Sequence, residues 1–377
     1  MEIISKELKE ITKKLALVLN TCSDANILNI KTSANNDALF FSVSTGEIYT
    51  TVRLNVTLLE AFNATVDTKT FIDMVSGLAG DTIKLEIDDA ILKLSSGKSK
   101  YKLAMIYKDG DLAEPQQITV DNPELTTVIP LDLLKSIDTV NSQEFNRKQD
   151  SKVKNIANKL YHISDAGCLT AADNFGACLN LFKLDTPVDI LATKQLVKLF
   201  GLFTSDPTLT YERRQINNIE QAIIKLTSDN IRLCAYTPAD PKVRAVMTSM
   251  VTKIRQLATS IYQANLVINA KELSAALGRL AIAAKHTSKV LGTVDQVKLA
   301  VVDHHITLTD TSGNSEEVEL DTASSIVGDF HTSFYISSAK PIIDMCKSSL
   351  ITVRSSLNKP ILFDFDTVKY MLAPLID

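Results

Sequence analysis

The order helix, short strands, helix, hairpin recurs three times along this 377-residue chain, and that repetition narrows the folds open to it. In the first pass, Leu8, Ile11, Leu15 and Val18 mark an amphipathic helix over residues 5–19. Alternating runs follow at 38–44 and 48–54. A second helix is expected from Asp67 or Thr68 as cap, with Phe71, Ile72, Val75 and Leu78 as its apolar stripe. Hairpin strands at 83–87, 90–94 and 101–105 close the pass, with turns at Asp88-Asp89 and at Ser95-Ser96-Gly97-Lys98. The second pass reads as a helix at 131–142, strands at 159–163, 168–172 and 177–184, a helix from about Thr193, then strands at 223–226 and 231–234. The third reads as a helix at 269–284, strands at 297–302, 305–309 and 318–320, a helix at 337–350, then strands at 351–353 and 361–365. Ile83-Lys84-Leu85, Ile224-Lys225-Leu226 and Ile351-Thr352-Val353 serve as a ruler, spaced 141 and 127 residues apart. One unit per third of the chain is too long for a solenoid repeat, so each copy is expected to be an α+β domain with its own core. The boundaries fall at 1–123, 124–262 and 263–377.

Charge and cysteine content exclude several classes. A net charge of −4 excludes a uniformly basic nucleic-acid binder but leaves room for a basic face on an acidic body. The six helices and the loop 145–154 together carry +9, so the remainder carries −13. Such a moderate, distributed positive field holds a polyanion through its phosphates without reading sequence. Single lysines on outer helix faces are ordinarily just solvated, so the pattern counts for more than any one of them. The five cysteines, Cys22, Cys168, Cys178, Cys234 and Cys346, form no CxxC pair and read as reduced thiols of a cytoplasmic protein. The opening MEIISKELKEITKKLALVLN has no apolar signal core, and no 18-residue apolar run follows, so no membrane contact is expected.

Catalytic motifs are sparse. Ser96-Gly97-Lys98-Ser99 has the ending of a phosphate loop, but position 92, where the first glycine belongs, is Leu; a hairpin turn fits better. Asp303-His304-His305 lacks a third ligand at metal spacing, and adjacent strand residues point to opposite faces. No metal or cofactor is expected. An α+β enzyme whose site is dispersed in sequence, and a structural repeat protein without a nucleic-acid role, stand as alternatives.

Three stretches resemble one family. Val66-Asp-Thr-Lys-Thr-Phe-Ile-Asp-Met-Val-Ser-Gly-Leu78, with Ile83–Ile87 and Leu94-Ser-Ser-Gly-Lys-Ser-Lys-Tyr-Lys-Leu103, is similar to the first domain of the bacterial DNA polymerase III beta subunit, the sliding clamp. Val267-Ile-Asn-Ala-Lys-Glu-Leu-Ser-Ala-Ala-Leu-Gly-Arg279 resembles the opening helix of its third domain, and Tyr370–Asp377 resembles its C-terminal tail. The resemblance implies three similar clamp domains, each with two helices packed on antiparallel sheets. It also implies a head-to-tail homodimer ring around double-stranded DNA, held by topology rather than by sequence. A replicative DNA polymerase and a clamp loader would be its partners. The helices would face the duplex through Lys6, Lys9, Lys13, Lys194, Lys198, Lys285 and Lys289, with Arg147, Lys148 and Lys152 from the basic loop. The partner-peptide pocket would include Ile156, Ala172, Asn174, Phe175, Gly176, Ala177, Leu257, Met371, Leu372, Ala373, Pro374 and Leu375. Ring closure would set Tyr101 and Leu103 against Arg279, Ile282 and Ala283. The chain departs from the family where Thr-Asp-Gly-His-Arg-Leu is replaced by Ala172-Asp173-Asn174-Phe175-Gly176-Ala177, which implies an altered peptide preference, and residues 242–263 align poorly.

Overall fold

Apolar stripes at helical spacing and alternating runs settle into a chain of antiparallel sheets with helices on their faces. The computed structural model describes all residues except 57–60, 135–159, 165–167, 173–175, 182–185, 187, 217–218, 292–294, 347, 358, 366–367 and 376–377. At 168–172, 176, 180–181, 216, 219, 250 and 286–291 the description is of the backbone.

Two compact units emerge, Met1–Lys135 with Thr193–Asp240, and Ser136–Ala192 with Pro241–Asp377. The first unit begins with β1 (Glu2–Ile4), α1 (Ser5–Thr21), β2 (Ile27–Thr32), β3 (Ala38–Ser44), β4 (Ile48–Asn55), β5 (Asn63–Asp67), α2 (Thr68–Gly77), β6 (Thr82–Asp88), β7 (Ile91–Ser96) and β8 (Ser99–Ala104). Leu8, Ile11, Leu15 and Val18 are all buried, as their spacing requires, and α1 packs against α2. Phe41 of β3 and Phe71 of α2 meet at 6.3 Å in the core. Asp67 caps α2 by accepting the Thr70 amide at 2.7 Å. A small hairpin, β9 (Tyr107–Lys108) and β10 (Asp111–Leu112), leads to β11 (Leu125–Val128).

The second unit starts with β12 (Leu160–Ser164), β13 (Cys168–Ala172), β14 (Gly176–Leu181) and β15 (Asp189–Thr193). The chain then supplies α3 (Lys194–Leu199), β16 (Thr208–Ile216), β17 (Ile219–Ser228) and β18 (Ile231–Pro238) to the first unit. The rest belongs to the second: α4 (Pro241–Ala258), β19 (Ala264–Asn269), α5 (Ala270–Leu291), β20 (Gln296–Val302), β21 (His305–Asp310), β22 (Ser315–Glu319), β23 (Ser325–Ile326), β24 (His331–Tyr335), α6 (Ile336–Asp344), β25 (Leu350–Ser355), β26 (Ile361–Phe365) and β27 (Val368–Leu372).

The sheets carry the repeat. One four-strand order recurs as β1-β6-β7-β8, β11-β16-β17-β18 and β19-β25-β26-β27. A second recurs as β5-β2-β3-β4, β15-β12-β13-β14 and β24-β20-β21-β22. Two seams fuse these orders into larger sheets. β18 pairs antiparallel with β4, Leu233 opposite Thr50, and β14 pairs antiparallel with β27, Cys178 opposite Tyr370.

Several expectations are corrected. Ile224-Lys225-Leu226 lies on β17, third in its four-strand order, whereas Ile83 and Ile351 lie on β6 and β25, second in theirs; the equivalent strand is β16. β16 and β17 both alternate, so the sequence pattern does not distinguish one from the other. The helix expected at 337–350 ends at Asp344, where Ser348 Oγ donates to the Leu350 carbonyl and serines favour such local bonds over helix. Helix α5 runs on to Leu291 rather than ending at 284, through a stretch with no Gly or Pro to stop it. Asp303 and His304 are not strand residues but the two-residue turn between β20 and β21, with φ of 49° and 62°. Gly97, at φ 57°, sits in the turn between β7 and β8, so the Ser96–Ser99 stretch is a hairpin end. Of the helix expected at 131–142, residues 131–134 are described and helical. Cys22, Cys178 and Cys234 are buried free thiols, and Cys346 is a half-buried one.

Helix α4 was not expected at all. Pro241 takes the first helical position, and Val243, Met247, Val251, Ile254 and Ala258 follow at helical spacing. Replacing the α2 cap, Asp67→Ala, is expected to cost about 1 kcal/mol, read as a lower urea midpoint, with Asp67→Ser keeping most of it.

Candidate partner and nucleic-acid surfaces

The β14·β27 seam has two apolar faces. Alternation sends Cys178, Phe363, Tyr370 and Leu372 into the core beneath α5 and α6. It sends Ala177, Leu179, Leu362 and Met371 to the opposite face, where a solvated sheet would carry polar side chains. Helix α4 covers that face with Ile254, Leu257 and Ala258, and Tyr262 packs beside them. At about 1.5 Å per residue an 18-residue helix spans about 27 Å, enough to cross the five strand spacings from β15 to β26.

The N-terminal half of α4 has its own anchor. Val243 and Met247 pack on Leu160 and Leu191. Arg244 donates to the Asp189 carboxylate at 2.5 Å and to its carbonyl at 2.9 Å. The other carboxylate oxygen of Asp189 lies 2.7 Å from Nε2 of the buried His162. Burial pushes the Asp189 carboxyl upward, but the bonds from His162 and Arg244 outweigh it and hold the group below its usual range. At the other end of α4, the Tyr262 hydroxyl donates to the Leu257 carbonyl at 2.7 Å, closing the last turn.

Of the expected pocket residues, this arrangement brings together Ala177, Leu257 and Met371. Leu372, 2% exposed, faces the α5/α6 core instead, because it is one residue out of phase with Met371. Ala172 ends β13 and pairs with Ala177, and Gly176 starts β14 opposite Leu372. Beyond the strand, Ala373 is exposed and Pro374 half-buried, and the Leu375 amide donates to the Ser333 carbonyl at 2.9 Å. Ile156, Asn174 and Phe175 lie outside the described residues. Leu179, Ile254, Ala258, Tyr262 and Leu362 were missed; the 3.6-residue period of 243–258 was the available signal.

The cations sort by their surroundings. Lys6 and Lys13 are exposed on α1, and Lys13 pairs with Glu10 at 2.6 Å. Lys9 instead donates to the Leu78 carbonyl at 2.7 Å, closing the C-terminus of α2, so its charge serves the fold. Lys198 on α3 is exposed and Lys194 is half-buried; burial, then the neighbouring Lys198, pulls the Lys194 ammonium below the ordinary lysine range. Because α3 touches α1, these lysines share one region of the first unit. Lys285 is exposed on α5, and Lys289 lies on the same helix in the stretch described by backbone. Arg147, Lys148 and Lys152 lie outside the described residues. Lys242, Arg244, Lys253 and Arg255 give α4 four cations and no acid, on the sheet face opposite α5 and α6, so positive charge is not confined to the helices counted from the sequence.

Two strand edges stand out. β8 ends its sheet with Lys100, Tyr101 and Lys102 exposed, while Leu103 is buried in its own core. β22 ends its sheet with Glu317 and Glu319 exposed. Beside β22, Arg279 of α5 forms a two-point pair with Glu316, at 2.8 and 2.6 Å, Ile282 is 72% exposed, and Ala283 is half-buried. Among the described residues no cluster of His, Cys, Asp and Glu could hold a metal ion, and no helix is long and apolar enough to cross a membrane.

This combination of repeated sheets and paired helices is the α+β architecture of a sliding clamp. No family model matches the chain, and no curated protein matches its sequence. Solved structures match it over its full length. The DNA polymerase III beta subunit of Thermotoga maritima superposes with a TM-score of 0.75 at 15% identity, covering 100% of this chain and 99% of that one. The beta subunit from the DNA polymerase of Streptococcus pyogenes gives 0.74 at 16% identity, again over 100% and 99%. The Helicobacter pylori beta clamp bound to a DNA ligase peptide gives 0.72 at 15%, with the same coverage. The chain therefore has the fold of the bacterial beta sliding clamp, in a highly divergent sequence.

The Asp189 bonds predict a pH signature. A carboxyl held low in the folded state stabilises above its unfolded pKa, and that contribution is lost as pH falls through the folded value. Asp189→Asn should therefore lower the melting temperature at pH 7, and the gap to the parent should close as the pH is taken below the usual carboxylate range.

Proposed function

We propose that this chain is a DNA sliding clamp, a non-enzymatic processivity factor that needs no cofactor. In this reading each chain has three clamp domains, at 1–123, 124–262 and 263–377, and two chains close head to tail into a ring around duplex DNA in the cytoplasm. A clamp loader opens the ring, and a replicative DNA polymerase is held to it by a short peptide.

The observation that carries the reading is the pair of unmatched edges. In the repeated topology, β18 and β27 are equivalent to β8, and β4 and β14 are equivalent to β22. The first four pair within the chain, leaving β8 and β22, so joining β8 of one chain to β22 of a second completes the pattern. Charge supports the match, since Lys100 and Lys102 would meet Glu317 and Glu319. Packing supports it too. Tyr370 is 6% exposed at its seam, whereas Tyr101, its counterpart on β8 opposite β7, is 36% exposed. Closure against Ile282 would bury it.

Sliding needs a field strong enough to centre the duplex and too weak to grip it. Exposed lysines spread over α1, α3 and α5 supply such a field without base readout. The Helicobacter pylori clamp, seen with a DNA ligase peptide, supports a peptide-binding role for this chain; in this reading the peptide binds at the β14·β27 region.

Three measurements test the proposal. The protein, loaded on nicked circular DNA, should be retained and should run off once the circle is linearised; loss at equal rates from both forms would refute topological holding. Ile282→Glu should weaken the dimer at least about tenfold, or about 1.4 kcal/mol, by sedimentation, with the monomer still folded. Lys6→Glu with Lys198→Glu should reduce loading equally on DNAs of unrelated sequence.

A further inference from the structure

Ile261, 92% exposed, and Val327, 75% exposed, are the two most solvent-open large apolar side chains among the described residues, and both adjoin Gln263. Leu357, 55% exposed, adjoins it too, through Ser356. Gln263 ties the three segments together. Its amide donates to Ser356 Oγ at 2.8 Å, its side-chain Nε2 donates to the Val327 and Asp329 carbonyls at 2.9 and 2.8 Å, and its carbonyl accepts the Val327 amide at 3.0 Å. An apolar patch built on these bonds is fixed in place, and apolar area held open to water in a fixed shape marks a surface that another molecule covers.

β23 adds an open edge to the patch. It is the last strand of its sheet, beyond β19 and four strands from β27. The Val327–Gln263 bond sets the phase of the ladder, so Ile326, opposite Ala264, turns its amide and carbonyl away from β19. Those groups and Val327 together offer an extended segment a backbone pairing and an apolar contact. Charge selects the segment. Asp321 and Asp329, both exposed, flank β23, and the sequence has no Lys or Arg from 299 to 339. On the β25 side, Arg354 pairs with Asp364 at 3.1 Å and Lys359 lies past Leu357. A second copy of the same edge, laid antiparallel, would bring the flanking acids of both copies together, so the field disfavours self-pairing. We propose that the β23 edge and its patch dock an extended, basic segment of a partner protein, with apolar side chains on Ile261 and Val327, Lys or Arg beside Asp321 and Asp329, and main-chain bonds to Ile326. The surface is separate from the β14·β27 seam, and the inference does not depend on the clamp reading.

The test uses the full chain and a fluorescent peptide of alternating Val and Thr with two Lys at each end, read by anisotropy. The parent should bind it, and Ile261→Ser with Val327→Ser should weaken binding at least about tenfold. Both side chains are exposed, so that variant keeps its fold. The same peptide ending in Glu instead of Lys should bind the parent at least about tenfold more weakly, and Asp329→Lys should remove that preference. Hydrogen exchange with the Lys-ended peptide bound should slow the Ile326 amide, which faces the edge. No binding by the parent, equal affinity of parent and double variant, indifference to the charge of the peptide ends, or protection confined to amides away from β23 overturns the proposal. So does a dimer that Val327→Ser dissolves in sedimentation, since that would give the edge to a second copy.

Discussion

Edge-to-edge strand pairing is the constraint on which this architecture depends. Each four-strand order leaves an edge whose amide and carbonyl groups need partners, and an exposed edge invites uncontrolled association. The chain satisfies two such edges internally, joining β18 to β4 and β14 to β27. The sheets thereby become continuous through their backbones, and the helices need only cover one face of each. In the proposed ring, the same need at β8 and β22 would be met by a second chain.

A seam made by backbone pairing still has two faces to keep from water. One faces the helices and contributes to the main core. The other must be covered by whatever segment lies nearest. At β18·β4 an extended stretch with Ile118 and Val120 does this, and at β14·β27 a full helix does. Each large apolar side chain so covered contributes about 1.5–3 kcal/mol relative to exposure. Both coverings therefore strengthen the seams they cross.

The repeated order of elements was legible because it rests on local signals. Buried stripes such as Leu8, Ile11, Leu15 and Val18, and the cap at Asp67, depend on near neighbours in sequence. The short strands β1, β5 and β11 were not legible, since three to five residues carry little period and their pairing is set by distant partners. Within the candidate site, Met371, Ala177 and Leu257 came from the family resemblance, whereas the helix that unites them went unread. Its period is plain in residues 243–258, but this stretch departs from the family pattern that marks the other pocket residues. Lys9 shows a different limit. Its charge was visible in sequence, but its bond to the Leu78 carbonyl, from a helix 69 positions away, was not.

The alternation along Val368–Leu372 has a consequence for how this sequence can change. Tyr370 and Leu372 point one way and Met371 the other, and each direction leads into a different packed layer. Inserting or deleting one residue in β27 would swap every side chain between layers at once, with no solvent face to absorb the error. Evolution along this strand is therefore confined to substitutions that keep the frame, while length variation must be taken up in the turns that flank it.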